Sequence, residues 1–296
     1  MTDKNKFKGV LPALLTPFDK DGNVNKTSVD KLVKYNLKKG VNGFYVGGST
    51  GEGILLTIEE RIALFNYAAE ANEGKSTLIA HVGTIATKHA IEMAKAAEKA
   101  GYDAISAVAP YYFKFGTEAI KQYYFDIASS VNIPMIIYNF PGANGFSLDK
   151  ETAENMFAAN DKFIGIKHTT SDMYALQQFK TMKADPIVYN GFDEMFLGGL
   201  AMGADGGIGS TYNFMAEKFI AIYNAFKKGD IKEAQRVQNE ANEIINVLIK
   251  YGVFASEKYV LDCLGIEMGG CRKPFLPLGE EGKAVLSEIA KQFYKA

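Results

Sequence analysis

Short apolar segments alternate with longer amphipathic segments along most of this chain. The apolar segments are rich in Val, Ile, Tyr and Ala and are bounded by Gly, Pro or Asn, a pattern that predicts buried β-strands. Eight strands are predicted in this way: Val10–Thr16, Gly43–Gly48, Thr77–Gly83, Ala104–Pro110, Met135–Pro141, Phe163–Thr169, Ile187–Phe192 and Gly206–Ser210.

The amphipathic segments predict helices, because their apolar positions recur at the spacing of one helical face. Thr57–Glu60 has the sequence of a capping box and opens a predicted helix that runs to Ala71. The other helices predicted before the eighth strand are Ser28–Lys39, Thr87–Ala100, Thr117–Ser130, Leu148–Ala159 and Ser171–Met182. Four more are predicted after it: Glu217–Lys228, Asp230–Tyr251, Phe254–Gly265 and Glu280–Lys295.

Alternation of strand and helix predicts parallel strands joined by crossover helices. Eight strands buried on both faces favour an α/β fold of the (β/α)8 TIM-barrel type over an open doubly wound sheet, which gives a similar pattern. The C-terminal helices exceed the single helix that would complete a barrel. We therefore expect residues 1–212 to form the barrel core up to its eighth strand. Residues 213–296 are expected to complete the barrel and add a helical appendage.

The composition and charge of the chain indicate which kinds of binding partner to expect. The 296 residues include 33 Lys and Arg against 34 Asp and Glu, so there is neither the basic surface expected for nucleic acid nor a polybasic membrane patch. No apolar stretch is long enough for a signal peptide or a membrane span. We expect no nucleic-acid partner, no membrane partner and a cytoplasmic protein.

The cysteines and histidines give no sign of a disulfide or a metal site. Cys263 and Cys271 lack CxxC spacing, which favours free thiols in a reducing cytosol. His81, His89 and His168 lack the spacing of metal-binding motifs. We therefore expect neither a metal nor another cofactor.

A lysine and a tyrosine on two of the predicted strands carry the most informative chemistry. Lys167 lies near the end of a strand that is apolar on both faces, where an ammonium group lacks water. A partly desolvated lysine loses its proton more easily and can attack a ketone to form a Schiff base. Tyr138 lies near the end of the preceding strand and could move a proton. Together they provide the groups needed for cofactor-free aldol chemistry.

The segment Gly47–Glu52, with the sequence Gly-Gly-Ser-Thr-Gly-Glu, follows the second predicted strand. Its glycines and hydroxyl groups are suited to holding a carboxylate, although an ordinary βα turn has a similar composition. The same residues match the GxSxG nucleophile elbow of serine hydrolases, with Ser49 as nucleophile. That alternative requires a histidine late in the chain, and the last third contains none.

In parallel barrels the active site lies where the strands end, which ranks the candidate residues by position. Lys167, Tyr138 and the pair Asp193 and Glu194 all lie at predicted strand ends. Each has a purely structural alternative at this stage. The lysine could reach solvent, the tyrosine could be a core aromatic with a satisfied hydroxyl, and the acids could cap a helix.

Four motifs resemble one known superfamily when taken together and in order. They are Gly47–Glu52, Tyr138–Gly142 (Tyr-Asn-Phe-Pro-Gly), Gly165–Lys167 and Gly191–Glu194 (Gly-Phe-Asp-Glu). The chain is similar to the N-acetylneuraminate lyase and dihydrodipicolinate synthase superfamily of pyruvate-dependent class I aldolases. The resemblance extends from about Lys8 to the C-terminal helices.

Details of these motifs favour the lyase branch of the superfamily. The synthases usually have Thr at the position of Ser49, and they place an arginine at the position of Ala143 to hold a second carboxylate. Pro141 and Gly142 are closer to the synthase pattern. The activity implied is reversible aldol cleavage of N-acetylneuraminate to N-acetylmannosamine and pyruvate, without a cofactor.

The resemblance also implies roles for individual residues. Lys167 would form the Schiff base, Tyr138 would take the proton from the C4 hydroxyl, and Ser49 with Thr50 would hold the substrate carboxylate. The sugar-binding residues implied are Thr169, Gly191, Asp193, Glu194, Ser210 and Phe254. Tyr112 matches a tyrosine that reaches the site of a neighbouring subunit in related enzymes, which implies a homotetramer.

Three other functions remain open from the sequence. The nearest is another pyruvate aldolase of the same superfamily, either a dihydrodipicolinate synthase or a 2-keto-3-deoxy sugar acid aldolase. The others are a serine hydrolase that uses Ser49 and a non-catalytic barrel that binds sialic acid or pyruvate.

Overall fold

The computed structural model describes residues 3–293 and contains one eight-stranded parallel sheet. The strands are β1 (Gly9–Pro12), β2 (Gly43–Val46), β3 (Thr77–His81), β4 (Ala104–Val108), β5 (Met135–Asn139), β6 (Phe163–His168), β7 (Ile187–Asn190) and β8 (Gly206–Gly209). Each neighbours the next in the order β1-β8-β7-β6-β5-β4-β3-β2.

The sheet closes on itself. On one side β1 pairs with β8, with Gly9 opposite Gly206. On the other side Ala13 forms a parallel bridge with Tyr45, and the backbone N–H of Leu14 donates to Tyr45 O at 2.8 Å. The predicted (β/α)8 TIM barrel is therefore confirmed.

All eight predicted strands are present, but the ladders end before the apolar segments do. The first was predicted to reach Thr16, but β1 ends at Pro12 and only the single bridge at Ala13 lies beyond it. The seventh was predicted to reach Phe192, but β7 ends at Asn190. The residues beyond each ladder stay apolar or buried because they form the loops at the carboxyl end of the barrel.

Twelve α-helices surround and extend the barrel within the described residues. They are α1 (Lys26–Lys39), α2 (Ile58–Asn72), α3 (Thr87–Lys99), α4 (Thr117–Ser129), α5 (Pro141–Asn144), α6 (Lys150–Ala159), α7 (Met173–Lys180), α8 (Phe196–Ala201), α9 (Tyr212–Lys227), α10 (Ile231–Tyr251), α11 (Val253–Cys263) and α12 (Glu280–Lys291). The predicted capping box is present, since Glu60 N donates to Thr57 Oγ1 and Thr57 N donates to a Glu60 carboxylate oxygen.

Three helical features differ from the prediction. The short helices α5 and α8 were not predicted, because four and six residues are too few to show a helical period. Helix α9 begins at Tyr212, five residues before the predicted start at Glu217. A non-helical residue, Met215, interrupts its first turns, which explains why the amphipathic pattern begins only after it.

Two apolar clusters fill the fold. The smaller lies inside the barrel and contains inward-facing strand residues such as Leu11, Ile79 and Ile136, and the larger lies between the strands and the helices. Successive residues of a strand point to opposite faces, which is why β1 to β7 contribute to both clusters, whereas the glycine-rich β8 contributes only Ile208, to the inner one. None of the helices within residues 3–293 combines the length and apolar character needed to cross a membrane.

Candidate active site

A cavity of about 260 Å³ opens at the carboxyl end of the barrel. Ten of the eleven site residues predicted from the sequence line it: Ser49, Thr50, Tyr138, Lys167, Thr169, Gly191, Asp193, Glu194, Ser210 and Phe254. These residues come from loops or ends of five different strands and from the start of α11. The closed sheet brings them together because all its strands point in one direction.

Lys167 occupies the apolar part of the cavity. It is 5% exposed, and its Nζ lies 4.3 Å from the ring centre of Tyr138 and 4.5 Å from that of Tyr45. No hydrogen bond or ion pair to this Nζ is found within residues 3–293. Burial lowers the pKa of Lys167 to about 7, although the carboxylate of Asp193 opposes the change. An amine with that pKa is substantially neutral, and therefore nucleophilic, near pH 7.

Tyr138 is held against Lys167 by a set of aromatic rings. Its ring stacks on Phe140 at 5.6 Å and meets Tyr45 and His81 edge-on at 6.0 and 5.8 Å. Burial raises the pKa of Tyr138 to about 12, and the neighbouring hydroxyls of Thr169 and Ser49 oppose that rise. The phenol is therefore protonated near pH 7, and a positive charge placed beside it would favour its ionisation.

The loop after β2 presents Ser49 and Thr50 to the same cavity. Glu52 N donates to Ser49 O and Gly53 N donates to Gly48 O, both at 3.0 Å, so the loop folds tightly upon itself. A Cβ at Gly53 would lie 2.1 Å from Gly47 O, which explains why this position requires glycine. A compact turn that carries two hydroxyl groups beside an amine suits the binding of a carboxylate.

A buried ion pair between Lys258 and Glu52 holds that loop in place. Lys258 Nζ lies 2.5 Å from Glu52 Oε1, and both side chains are fully buried. The second carboxylate oxygen of Glu52 accepts from Arg272 N at 2.7 Å, and Lys258 Nζ also donates to Gly270 O at 2.6 Å. Helix α11 is thereby tied to the loop that carries Ser49, although the paired residues are 206 positions apart in the sequence.

Asp193 forms the polar wall opposite that loop. Its Oδ2 accepts from Thr211 N at 2.8 Å and from Thr211 Oγ1 at 2.7 Å. Burial raises the pKa of Asp193 to about 6, while the hydrogen bonds from Thr211 oppose the rise. Two glycines leave room for this arrangement, since a Cβ at Gly209 would lie 1.9 Å from Asp193 Oδ1 and one at Gly191 would lie 1.9 Å from Thr169 Oγ1.

The C-terminal helices cover the mouth of the cavity. Ile245 and Ile249 from α10 and Val253 and Phe254 from α11 complete its lining. Glu194 lies at the exposed rim. The cavity is thus apolar around the buried lysine and polar where Asp193, Glu194 and Ser210 meet.

Tyr112 is the one predicted site residue that the cavity does not include. Its side chain is 85% exposed, and its backbone has φ of 78°, a conformation that non-glycine residues rarely adopt. It packs edge-on against Phe113, which is 59% exposed. Within a single chain Tyr112 is a surface residue, so any part it plays in the reaction requires a second subunit.

The histidines do not support the serine hydrolase alternative. Within the described chain, His81 is buried against Gly47 O and Val108 N, and His168 hydrogen-bonds to Asp172 O, so neither contacts Ser49. His89 lies exposed on α3. Within residues 3–293 Ser49 consequently has no histidine partner of the kind a catalytic triad requires.

Several residues of the site were not identified from the sequence. The apolar ones are Phe140, Phe192, Ile208, Ile245, Ile249 and Val253, and the polar one is Thr211. Tyr45 could have been found from the strand pattern, because it alternates on β2 with Phe44 and Val46, which face the helices, and therefore points into the barrel. The residues on α10 and α11 could not, since only the packing of the C-terminal helices places them over the barrel.

Comparison with known proteins defines the class. Residues 6–293 match the Dihydrodipicolinate synthetase family, and the chain belongs to that family. The match spans nearly the whole chain.

Individual relatives point to one activity within the family. The chain is 44% identical to the N-acetylneuraminate lyase of Rhizobium meliloti (strain 1021), over 96% of this chain and 94% of the relative. A catalytic lysine mutant of Ruminococcus gnavus sialic acid aldolase superposes with a TM-score of 0.96 at 36% identity, covering 100% of this chain and 98% of the other. A Clostridium difficile structure in complex with mannosamine gives 0.94 at 37% identity, covering 97% and 99%.

Proposed function

We propose that this chain is an N-acetylneuraminate lyase, a class I aldolase that reversibly cleaves N-acetylneuraminate to N-acetylmannosamine and pyruvate. The observation that carries the proposal is the buried amine of Lys167, which lies beside Tyr138 and has no counter-ion in hydrogen-bonding reach within residues 3–293. The relatives named N-acetylneuraminate lyase at 41–44% identity support the same activity.

The first step of the reaction forms the covalent intermediate. The neutral amine of Lys167 attacks the C2 carbonyl carbon of the open-chain sugar acid. The hydroxyl group formed at C2 leaves as water with the proton of the Tyr138 phenol, which leaves a protonated imine on Lys167 and a phenolate at Tyr138. Ser49 and Thr50 hold the adjacent carboxylate in the loop that faces the lysine. The low pKa of Lys167 serves this step because the ammonium form has no electron pair with which to attack.

The second step breaks the carbon–carbon bond. Tyr138 takes the proton of the C4 hydroxyl, the C3–C4 bond breaks, and its electron pair moves through C2 to the imine nitrogen. This releases N-acetylmannosamine as the aldehyde and leaves an enamine on Lys167. The positive charge of the imine beside the phenol offsets the burial that otherwise keeps Tyr138 protonated. Protonation at C3 and addition of water then release pyruvate and regenerate the amine.

The polar end of the cavity accommodates the hydroxyl groups of the sugar. Asp193, Glu194, Thr169 and Ser210 offer acceptors and donors that match a neutral polyol. No arginine lines the cavity within the described chain, and Ala143 occupies the position that would hold a second carboxylate in a synthase. This composition favours a sugar over aspartate semialdehyde as the partner of pyruvate.

We further propose that the enzyme is a homotetramer in the cytoplasm. The exposed Tyr112, with the aromatic rings of Phe113 and Phe115 beside it, forms an apolar surface suited to contact with a second subunit. Cys263 and Cys271 are both unpaired, as expected in a reducing compartment.

The test compares two reactions of the same preparation. Release of pyruvate from N-acetylneuraminate is measured against condensation of pyruvate with aspartate semialdehyde. The proposal predicts that the first kcat/KM exceeds the second by orders of magnitude. A preference for aspartate semialdehyde would show that the enzyme is a synthase. Tight binding of N-acetylneuraminate without turnover would show that the protein is a non-catalytic sensor.

A further inference from the structure

Glu257 is a buried carboxyl group that the mechanism above does not use. It lies on α11 three residues after Phe254, so the two side chains share the face of the helix that covers the barrel. Its side chain is fully buried, and it does not itself line the cavity. Ser210, which does line the cavity, lies between Glu257 and the space that would hold a ligand.

One hydrogen bond connects Glu257 to the site. Ser210 Oγ donates to Glu257 Oε1 at 2.7 Å. The other carboxyl oxygen, Oε2, is buried and has no hydrogen-bond partner within the described residues. A buried polar atom without a partner costs stability, so this side chain calls for an explanation other than the stability of the fold.

The charges around Glu257 do not stabilise an anion. No ion pair to Glu257 is found within residues 3–293, and its sequence neighbour Lys258 pairs with Glu52 instead. The charged group that influences it most is the carboxyl of Asp193, which has the same sign. Burial raises the pKa of Glu257 well above its usual range; the hydrogen bond from Ser210 opposes that rise, and the nearby carboxyl of Asp193 adds to it. Glu257 Oε1 accepts the hydrogen bond from Ser210.

We propose that Glu257 is a positioning residue that fixes Ser210 as a hydrogen-bond acceptor toward the sugar. Because the Ser210 hydroxyl commits its single proton to Glu257, only its lone pairs face the cavity. Ser210 and Asp193 then present acceptors side by side, which selects a ligand hydroxyl that donates. This inference rests on the proposed lyase function and extends it to the recognition of the sugar tail.

The kinetic test uses two substitutions of different chemistry. Glu257→Gln keeps a neutral acceptor for Ser210, whereas Glu257→Leu removes it and leaves the apolar surroundings filled. We expect Glu257→Leu to raise the KM for N-acetylneuraminate by about five- to tenfold, the value of one hydrogen bond, and Glu257→Gln to stay within about twofold of the wild type. The KM for pyruvate in the condensation direction should not change in either variant.

A double substitution shows whether Glu257 acts through Ser210. Adding Ser210→Ala to Glu257→Leu should raise KM no further than Ser210→Ala does alone, because both changes remove the same contact. Additive effects, an equal rise in the KM for pyruvate, or identical behaviour of the Leu and Gln variants would overturn the proposal.

A structural readout keeps the test independent of turnover. In a crystal structure of the Glu257→Leu variant, the Ser210 hydroxyl should leave its present position, and in the Glu257→Gln variant it should remain. An unmoved Ser210 in the Leu variant would overturn the positioning role even if the chain cleaved some other sugar acid. Failure of the wild type to cleave N-acetylneuraminate, with Ser210 moving as expected, would instead refute only the proposed function.

Discussion

Replacing Lys167 by Met should stabilise the protein while it abolishes the reaction. The structure buries this amine among aromatic rings, and burial lowers the pKa of Lys167 to about 7 from its ordinary value of 10.5. Each pKa unit corresponds to about 1.4 kcal/mol, so near pH 7 the buried amine costs roughly 4 kcal/mol of folding free energy relative to a group that does not ionise. Met has a similar length and no charge to desolvate.

The sign of the pH dependence follows from the same shift. Between about pH 7 and 10.5 the unfolded chain binds a proton at this lysine that the folded chain does not, so the folded state gains stability as pH rises. The advantage of Lys167→Met is therefore fully present at and below pH 7. It should fall to about half near pH 9 and vanish above pH 10.5.

Lys258→Met provides the matched control, since both lysines are buried and only one is paired. Removing Lys258 leaves the carboxylate of Glu52 buried without its cation. Loss of one partner of a buried ion pair typically costs about 3–5 kcal/mol. The same substitution should therefore stabilise the protein at one position and destabilise it at the other.

The assay is urea unfolding of the wild type and both variants at pH 7 and pH 9, at equal protein concentration because subunit association contributes to stability. Comparable destabilisation in both variants would show that Lys167 has a partner or contacts solvent. A stabilisation by Lys167→Met that is the same at both pH values would show that its charge is not the cause.

Three further outcomes concern the reaction. Tyr138→Phe should lower kcat by about 10²- to 10⁴-fold while the covalent adduct with pyruvate still forms, and near-normal turnover would remove Tyr138 from the mechanism. Asp193→Ala should raise the KM for the sugar more than the KM for pyruvate in the condensation direction, whereas equal effects would argue against contact with the sugar. The profile of kcat/KM against pH should decline below about pH 7 as Lys167 gains its proton, and a flat profile from pH 6 to 8 would contradict the assignment.

The fold could be predicted from the sequence because barrel strands are buried on both faces. An uninterrupted apolar segment such as Met135–Asn139 between turn residues has few alternatives, and eight of them in one chain favour a closed sheet. The ends of the strands could not be placed, since buried loop residues such as Thr16 look like a continuation of the strand. Helix α8 contains Gly198 and Gly199 and is set by its packing, not by its own propensity.

Some residues of the site could likewise be predicted from the sequence, and others could not. Lys167, Tyr138 and Asp193 could be identified because each lies at or just after the carboxyl end of a parallel strand, and those ends must meet. Glu257 could not, since its place beside Ser210 depends on how α11 packs across the barrel, 47 residues away in the sequence. The ion pair between Glu52 and Lys258 was not predicted for the same reason. The two residues are 206 positions apart, and a local sequence pattern does not indicate which distant charged residues pair in the folded chain.

The most direct test of the account is the identity of the residue that becomes covalently attached to pyruvate. The protein is incubated with pyruvate and sodium borohydride, which reduces an imine to a stable secondary amine, and its peptides are analysed by mass spectrometry. The account predicts one reduced pyruvyl group on Lys167 and none in the Lys167→Met variant. An adduct on another lysine, or no adduct at all while the enzyme remains active, would contradict it.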